Sequence, residues 1–177
     1  EAYSNLTIDL RSKYDEDMLF DTKLTLRGEE QCQKKELEIN DKFNIVYTST
    51  LDRALQTSDI IFGDKAVPIV ANENLREYKN CKSSYRKDLT YKKNVFPNID
   101  FSSVKCSIDN LPIEIDKTKK LCGFITYSKK EASHYMMKRV KSFLDTIAST
   151  NYTNIVIVSH RGFIYMFNKF FDRRVDL

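Results

Sequence analysis

The run Ile155-Val156-Ile157-Val158, followed at once by Ser159-His160-Arg161-Gly162, is the feature that most restricts the fold. Four consecutive apolar residues offer no polar face, so a strand built from them reads as covered on both sides. Such strands belong to parallel sheets flanked by helices. Polar residues at their carboxyl ends stand where open α/β sheets bind ligands. His160 occupies that position and is one of only two histidines in 177 residues. Position alone leaves two readings open: a residue of a ligand site, or a histidine hydrogen-bonded within a strand-to-helix turn.

The rest of the chain repeats the alternation. Thr25, followed three residues later by Gly28-Glu29-Glu30-Gln31, reads as a helix start with acids in the first turn, the helix running to about residue 39. Residues 43–47 form a short apolar strand that ends in Thr48-Ser49-Thr50. Leu51, Leu55, Ile60 and Ile61 follow at helical spacing, with Gly63 as the stop. Residues 67–71 read as another strand. Residues 79–112 show no firm periodicity and hold two of the three prolines, so an irregular insertion is expected there. Residues 128–148 read as one long helix with Ala132, Met136, Val140, Phe143, Leu144 and Ile147 on one face, and a last helix is expected from 162 to about 170. The aromatic residues of that last helix read as core. Strands alternating with helices imply a single α/β domain over 1–177: a three-layer α/β/α sandwich around a mainly parallel sheet, without repeats or linkers.

Composition excludes several classes. Hydrophobic residues make up 41% and charged residues 31%, a globular balance rather than a disordered one. A net charge of +4 suits an anionic ligand but is too small to argue for nucleic acid. No apolar run approaches the ~20 residues of a membrane span. Cys32, Cys81, Cys106 and Cys122 are scattered, and with two histidines they make a zinc site improbable. Free thiols in a reducing compartment, the cytoplasm, are the default expectation. The Asn-x-Thr sequons at Asn5 and Asn151 are too common a pattern to imply secretion.

Three strand ends carry polar residues of a suggestive kind: Thr48, Ser49 and Arg53 at the first, Arg76 and Glu77 after the second, Ser159 and His160 at the third. In a parallel sheet these gather at one edge. Arginine presents a planar fork matched to phosphate oxygens, and a carboxyl group can protonate a leaving oxygen. Against this stand plainer readings, Arg53 as a surface residue and Glu77 as a solvated acid. His134, in a helix among lysines, reads as solvated, and Arg161 faces either a pocket or solvent. Lys79, Lys82, Arg86, Lys87, Lys92 and Lys93 surround the single acid Asp88; such a run is a solvated face or a steering patch for an anionic substrate.

At this point the chain resembles the histidine phosphatases, the phosphoglycerate mutase-like superfamily. "FDTKLTLRGEEQCQ" resembles the family's D-x-x-L-T-x-x-G-x-x-Q segment, "YTSTLDRALQTSDIIF" its S-x-x-x-R-x-x-Q-T segment, "NLREYKNC" the stretch with its acidic residue, and "IVIVSHRGFI" its second histidine segment. The spacing, with "NVFPNIDFS" after the acid, is most similar to plant and fungal phosphoglycerate mutase-like proteins. The family signature Arg-His-Gly commonly continues Glu-x-x-x-Asn, and this chain begins Glu1-Ala2-Tyr3-Ser4-Asn5. The resemblance thus implies a chain starting just after that triplet, with the first and last family strands missing, no nucleophilic histidine and no activity in residues 1–177 alone. It implies a phosphomonoesterase working through phosphohistidine in the intact protein. Arg53, Asn5 and His160 would contact phosphate, His160 also serving in catalysis, and Glu77 would be the proton donor. It implies no cofactor and no metal. The expected partner is a small phosphorylated substrate or a phosphoprotein, not nucleic acid or membrane. Two alternatives stay open: a mutase on the same fold, and a non-catalytic phosphate- or phosphopeptide-binding module.

Overall fold

Thr25 opens the first helix as its sequence suggests. Its hydroxyl accepts a hydrogen bond from the Gly28 N–H at 3.1 Å, which satisfies one of the orphan donors of helix α1 (Leu26–Glu38). The computed structural model describes Ala2 and residues 19–39, 42–79, 82–110, 120–121, 124–125 and 129–175. After α1 come strand β1 (Ile45–Ser49), helix α2 (Asp52–Phe62) and strand β2 (Ile69–Asn72). Helix α3 (Leu89–Val95), strand β3 (Ile99–Asp100) and a small antiparallel ribbon, β4 (Lys120–Leu121) with β5 (Phe124–Ile125), follow. Helix α4 (Lys129–Ala148), strand β6 (Ile155–Val158) and helix α5 (Arg161–Val175) complete the order.

The main sheet has the order β3-β2-β1-β6, and every neighbouring pair in it is parallel. Side chains on a strand alternate between faces, and β1 uses both. Val46 enters one core with Cys32 of α1 and with Leu55, Ile61 and Phe62 of α2. Ile45 and Tyr47 enter the other with Met136, Val140 and Phe143 of α4 and with Phe163 and Met166 of α5. Helices therefore cover both faces of a mainly parallel sheet, the three-layer α/β architecture expected from the alternation. Tyr47, Phe143 and Phe163 meet edge to face, with ring centroids 5.4 and 6.1 Å apart.

Three sequence expectations need correction. Residues 79–112 are not irregular in their described part. They contain a 3₁₀ turn (Lys82–Ser84), α3 and β3, and β3 extends the sheet through the pairing of Ile99 with Ile69. A seven-residue helix spans two turns, too few for its period to show, although Asp88 caps it by accepting from the Thr90 N–H at 2.7 Å. Second, only part of the basic run is a solvated face: Lys82 and Lys93 are exposed. Lys79, Arg86 and Lys92 are buried, and their acidic partners lie elsewhere in the sequence. Third, the aromatic residues of α5 divide: Phe163 is buried, whereas Tyr165 and Phe171 are exposed. β6 packs into both cores, Val156 and Val158 on one side and Ile155 and Ile157 on the other, yet all four residues are only half-buried.

Candidate phosphate site at the carboxyl edge of the sheet

The register of β1 and β6 pairs Thr48 with Val158. One step further on, both chains leave the sheet at the same edge, and this brings Ser49 and His160 together. The His160 ring Nε2 lies 2.8 Å from the Ser49 Oγ, with the histidine buried. Ser159 donates its hydroxyl to the Leu75 carbonyl at 2.6 Å, which ties the end of β6 to the segment leaving β2. Burial pushes the His160 imidazole well below its ordinary range. The guanidinium charges of Arg53, Arg139 and Arg76 act in the same direction. Both effects favour the uncharged ring.

Arg53 stands in the first turn of α2, set there because Asp52 begins the helix directly after the polar turn. Its Nη1 donates to the Ser83 carbonyl at 2.7 Å, and its charge is felt at His160. Arg76 is fully buried. Its Nη1 and Nη2 reach the two Asp109 oxygens at 2.9 and 2.8 Å, and it also donates to a Glu73 oxygen at 3.0 Å and to the Ser84 carbonyl at 2.6 Å. Burial lowers its proton affinity, and Asp109 and Glu73 more than restore it, so the group stays cationic.

Glu77 comes to the same place from β2. Asn72 accepts from the Asn74 N–H at 2.9 Å and turns the chain through the 3₁₀ segment Glu73–Leu75. The Glu77 carboxylate then meets the amino end of α5: one oxygen accepts from the Gly162 N–H at 3.1 Å, the other from the Tyr78 N–H at 2.9 Å. Any residue other than glycine at 162 would have to push neighbouring side chains aside. A Cβ there would sit 2.2 Å from a Glu77 oxygen and 2.7 Å from the Tyr78 ring. The glycine after His160 is thus explained by close approach rather than by turn geometry.

The structure therefore gathers Arg53, Glu77 and His160 at one edge, while Asn5 lies outside the described residues. Arg161 is exposed, and so is His134. Arg139 was not anticipated. It sits on α4 between Met136 and Val140, and a cation placed next to two core positions was the available signal. Among the described residues no cluster of His, Cys, Asp and Glu could hold a metal ion. Nor is any helix among them long and apolar enough to cross a membrane. Chemically, an imidazole, guanidinium groups and a carboxyl group in one place are a set that can receive an anion and move a proton.

Known proteins resemble this chain in sequence and in fold. Residues 18–93 match the sequence profile of the histidine phosphatase superfamily (branch 1). A search of curated protein sequences finds no match. Among solved structures, the chain superposes on an Escherichia coli K-12 protein assigned as an α-ribazole-5′-P phosphatase with a TM-score of 0.52 at 19% identity, covering 83% of this chain and 66% of that one. It also superposes on the ecdysone phosphate phosphatase of Bombyx mori, solved with tungstate, with a TM-score of 0.58 at 15% identity, covering 89% and 59%. The chain thus spans roughly three fifths to two thirds of the length of these structures. Residues 18–93 thus resemble the histidine phosphatase superfamily in sequence, and the chain shares the fold of these two phosphatase structures.

Proposed function

We propose that this domain belongs to a hydrolase of small phosphomonoesters that works through a phosphohistidine intermediate. Arg53 and His160 hold the phosphoryl oxygens, and Asn5 adds a contact. Glu77 gives its proton to the leaving oxygen. In the first step a histidine nitrogen bonds to phosphorus as the bond to the leaving oxygen breaks. In the second, water attacks phosphorus while the Glu77 carboxylate takes its proton, the bond to nitrogen breaks, and phosphate departs.

The supporting observation is geometric: His160 is buried with its ring Nε2 2.8 Å from the Ser49 Oγ, and the Glu77 carboxyl group is docked on the Gly162 N–H two residues along the chain. A neutral imidazole can donate one hydrogen bond to a phosphoryl oxygen without the desolvation of a second buried cation. The phosphatases of similar fold act, by their names, on α-ribazole-5′-P and on ecdysone phosphate, both phosphate esters.

The test uses the full-length protein and aryl and alkyl phosphates. Glu77→Gln is expected to slow alkyl esters by ~10²–10⁴-fold, the usual worth of a general acid, and to spare good aryl leaving groups. Arg53→Ala is expected to weaken inorganic phosphate binding. Equal turnover of alkyl phosphates by Glu77→Gln and the parent would remove the acid from this assignment.

A further inference from the structure

Arg139 holds no phosphoryl oxygen in the chemistry just proposed, yet it is buried and reaches the backbone on which that chemistry depends. Its Nη1 donates to the Arg76 carbonyl at 2.7 Å and approaches the Asn74 carbonyl at 3.4 Å. Its Nη2 stands 3.5 Å from the Glu77 carbonyl. Three carbonyls of one short segment therefore converge on one guanidinium, whose fixed fork suits several acceptors at once. The Tyr135 ring lies 5.8 Å from its central carbon on the same helix. Beside it, Asn74 donates to the Ser142 hydroxyl at 3.1 Å, a second tie between α4 and this segment. The next carboxylate along the chain is that of Glu77, docked on the Gly162 N–H. The charge of Arg139 is also among those that act on His160.

We propose that Arg139 is a positioning residue for phosphoryl transfer, holding the Asn74–Glu77 backbone from α4 so that the Glu77 carboxylate meets the amino end of α5 beside His160. The inference rests on the hydrolase reading above and adds a residue to it. A guanidinium that only stapled α4 to the sheet would affect stability and would treat all substrates alike. One that aims Glu77 affects the step in which Glu77 gives up its proton.

The experiment is a double-mutant cycle in the full-length protein. Arg139→Lys keeps the charge but offers a point donor in place of a fork. It is expected to lower kcat for alkyl phosphates ~10–100-fold, in line with the sensitivity of catalysis to small misplacements, with little change in KM and little effect on aryl phosphates. Combined with Glu77→Gln, it should add almost nothing, because the group it aims is already gone. Arg139→Gln is the second variant and should show the same leaving-group pattern. Inorganic phosphate binding and thermal melts are measured on each protein. An equal slowing of alkyl and aryl esters, or full additivity with Glu77→Gln, would overturn the proposal. So would loss of folding in both variants, which would make the role purely structural. If Glu77→Gln alone leaves alkyl turnover unchanged, the acid assignment fails first and the positioning role falls with it.

Discussion

Two clusters of buried charge clamp the segment around residues 79–110 against the carboxyl edge of the sheet, and they are built in opposite ways. In one, Asp21 and Asp52, both fully buried, share the Lys92 ammonium, and Lys87 pairs with Asp52 at 2.8 Å. In the other, Asp109 receives Arg76 at 2.8 Å, Lys79 at 3.1 Å and the Arg86 N–H at 2.9 Å, while Glu73 also pairs with Arg76. Burial pushes the Asp21 carboxyl up, and nearby Asp52 pushes it further, despite Lys92. The Asp109 carboxyl is also penalised by burial, but Arg76, Arg86 and Lys79 outweigh that and hold it well below the usual carboxylate range. What separates them is the supply of donors. Asp21 shares its one lysine with a second buried acid and remains frustrated, whereas Asp109 accepts from the Arg76 guanidinium, the Lys79 ammonium and the Arg86 backbone N–H and is satisfied.

The largest effect should come from breaking the frustrated cluster at its centre. Lys92→Met would leave Asp21 and Asp52 facing each other without the shared cation. Removing one partner of a buried ion pair costs ~3–5 kcal/mol, so equilibrium urea unfolding should show a loss of that size. Asp109→Asn should cost less, about 1–3 kcal/mol, because Arg76 keeps Glu73 and the Ser84 carbonyl. A larger loss for Asp109→Asn than for Lys92→Met would reverse the comparison.

Acid separates the clusters by sign. Asp109 has a depressed folded value, so its contribution is complete above the ordinary carboxylate range near pH ~4 and is lost as pH falls below it. The stability gap between the parent and Asp109→Asn should therefore be constant at neutral pH and narrow in acid. Asp21 has a raised folded value, so the folded protein takes up its proton first. The Asp21 contribution should grow as pH falls from that raised value toward ~4, and Asp21→Asn should remove the gain. Unfolding free energies measured from pH 7 to 3 decide it; two slopes of the same sign would contradict the account.

Neither cluster was legible in the sequence, for a physical reason. Lys92 meets Asp21 and Asp52 across separations of 71 and 40 residues, and Arg76 meets Asp109 across 33. Local patterning shows only a basic run, whose ordinary fate is solvent. Burial of such a run depends on acids that folding brings from elsewhere. The sheet and its helices were legible because their signal is local: the Thr25 cap, the apolar runs at β1, β2 and β6, the Gly63 stop. The site stood between these cases. The polar residues at three strand ends marked where Arg53, Glu77 and His160 would gather, since parallel strands share one carboxyl edge. Arg139 left one signal, a cation beside the core positions Met136 and Val140, but its acceptors are backbone carbonyls, so the sequence did not show what it binds.

The smallest effect concerns Lys87, the most accessible of the four charges in the first cluster. Its side chain is 26% exposed, whereas that of Lys92 is fully covered. Burial draws its proton affinity down, and Asp52 more than offsets this by hydrogen bond and by charge, so the ammonium is held more firmly than usual. Its Nζ also lies 4.9 Å from the centre of the Tyr91 ring. Lys87→Met removes these contacts but leaves Asp52 with Lys92, and leaves the Lys87 N–H donating to Asp21 at 2.8 Å. Exposed pairs are worth ~0–1 kcal/mol and weaken in salt. The expected loss is at the upper end of that range in dilute buffer and shrinks toward zero in 1 M salt, while the Lys92→Met loss changes little. Unfolding of both variants at two ionic strengths makes the measurement. A salt-independent loss for Lys87→Met as large as that for Lys92→Met would mean that the two lysines share the burden equally, and that the frustration of this cluster is not centred on Lys92.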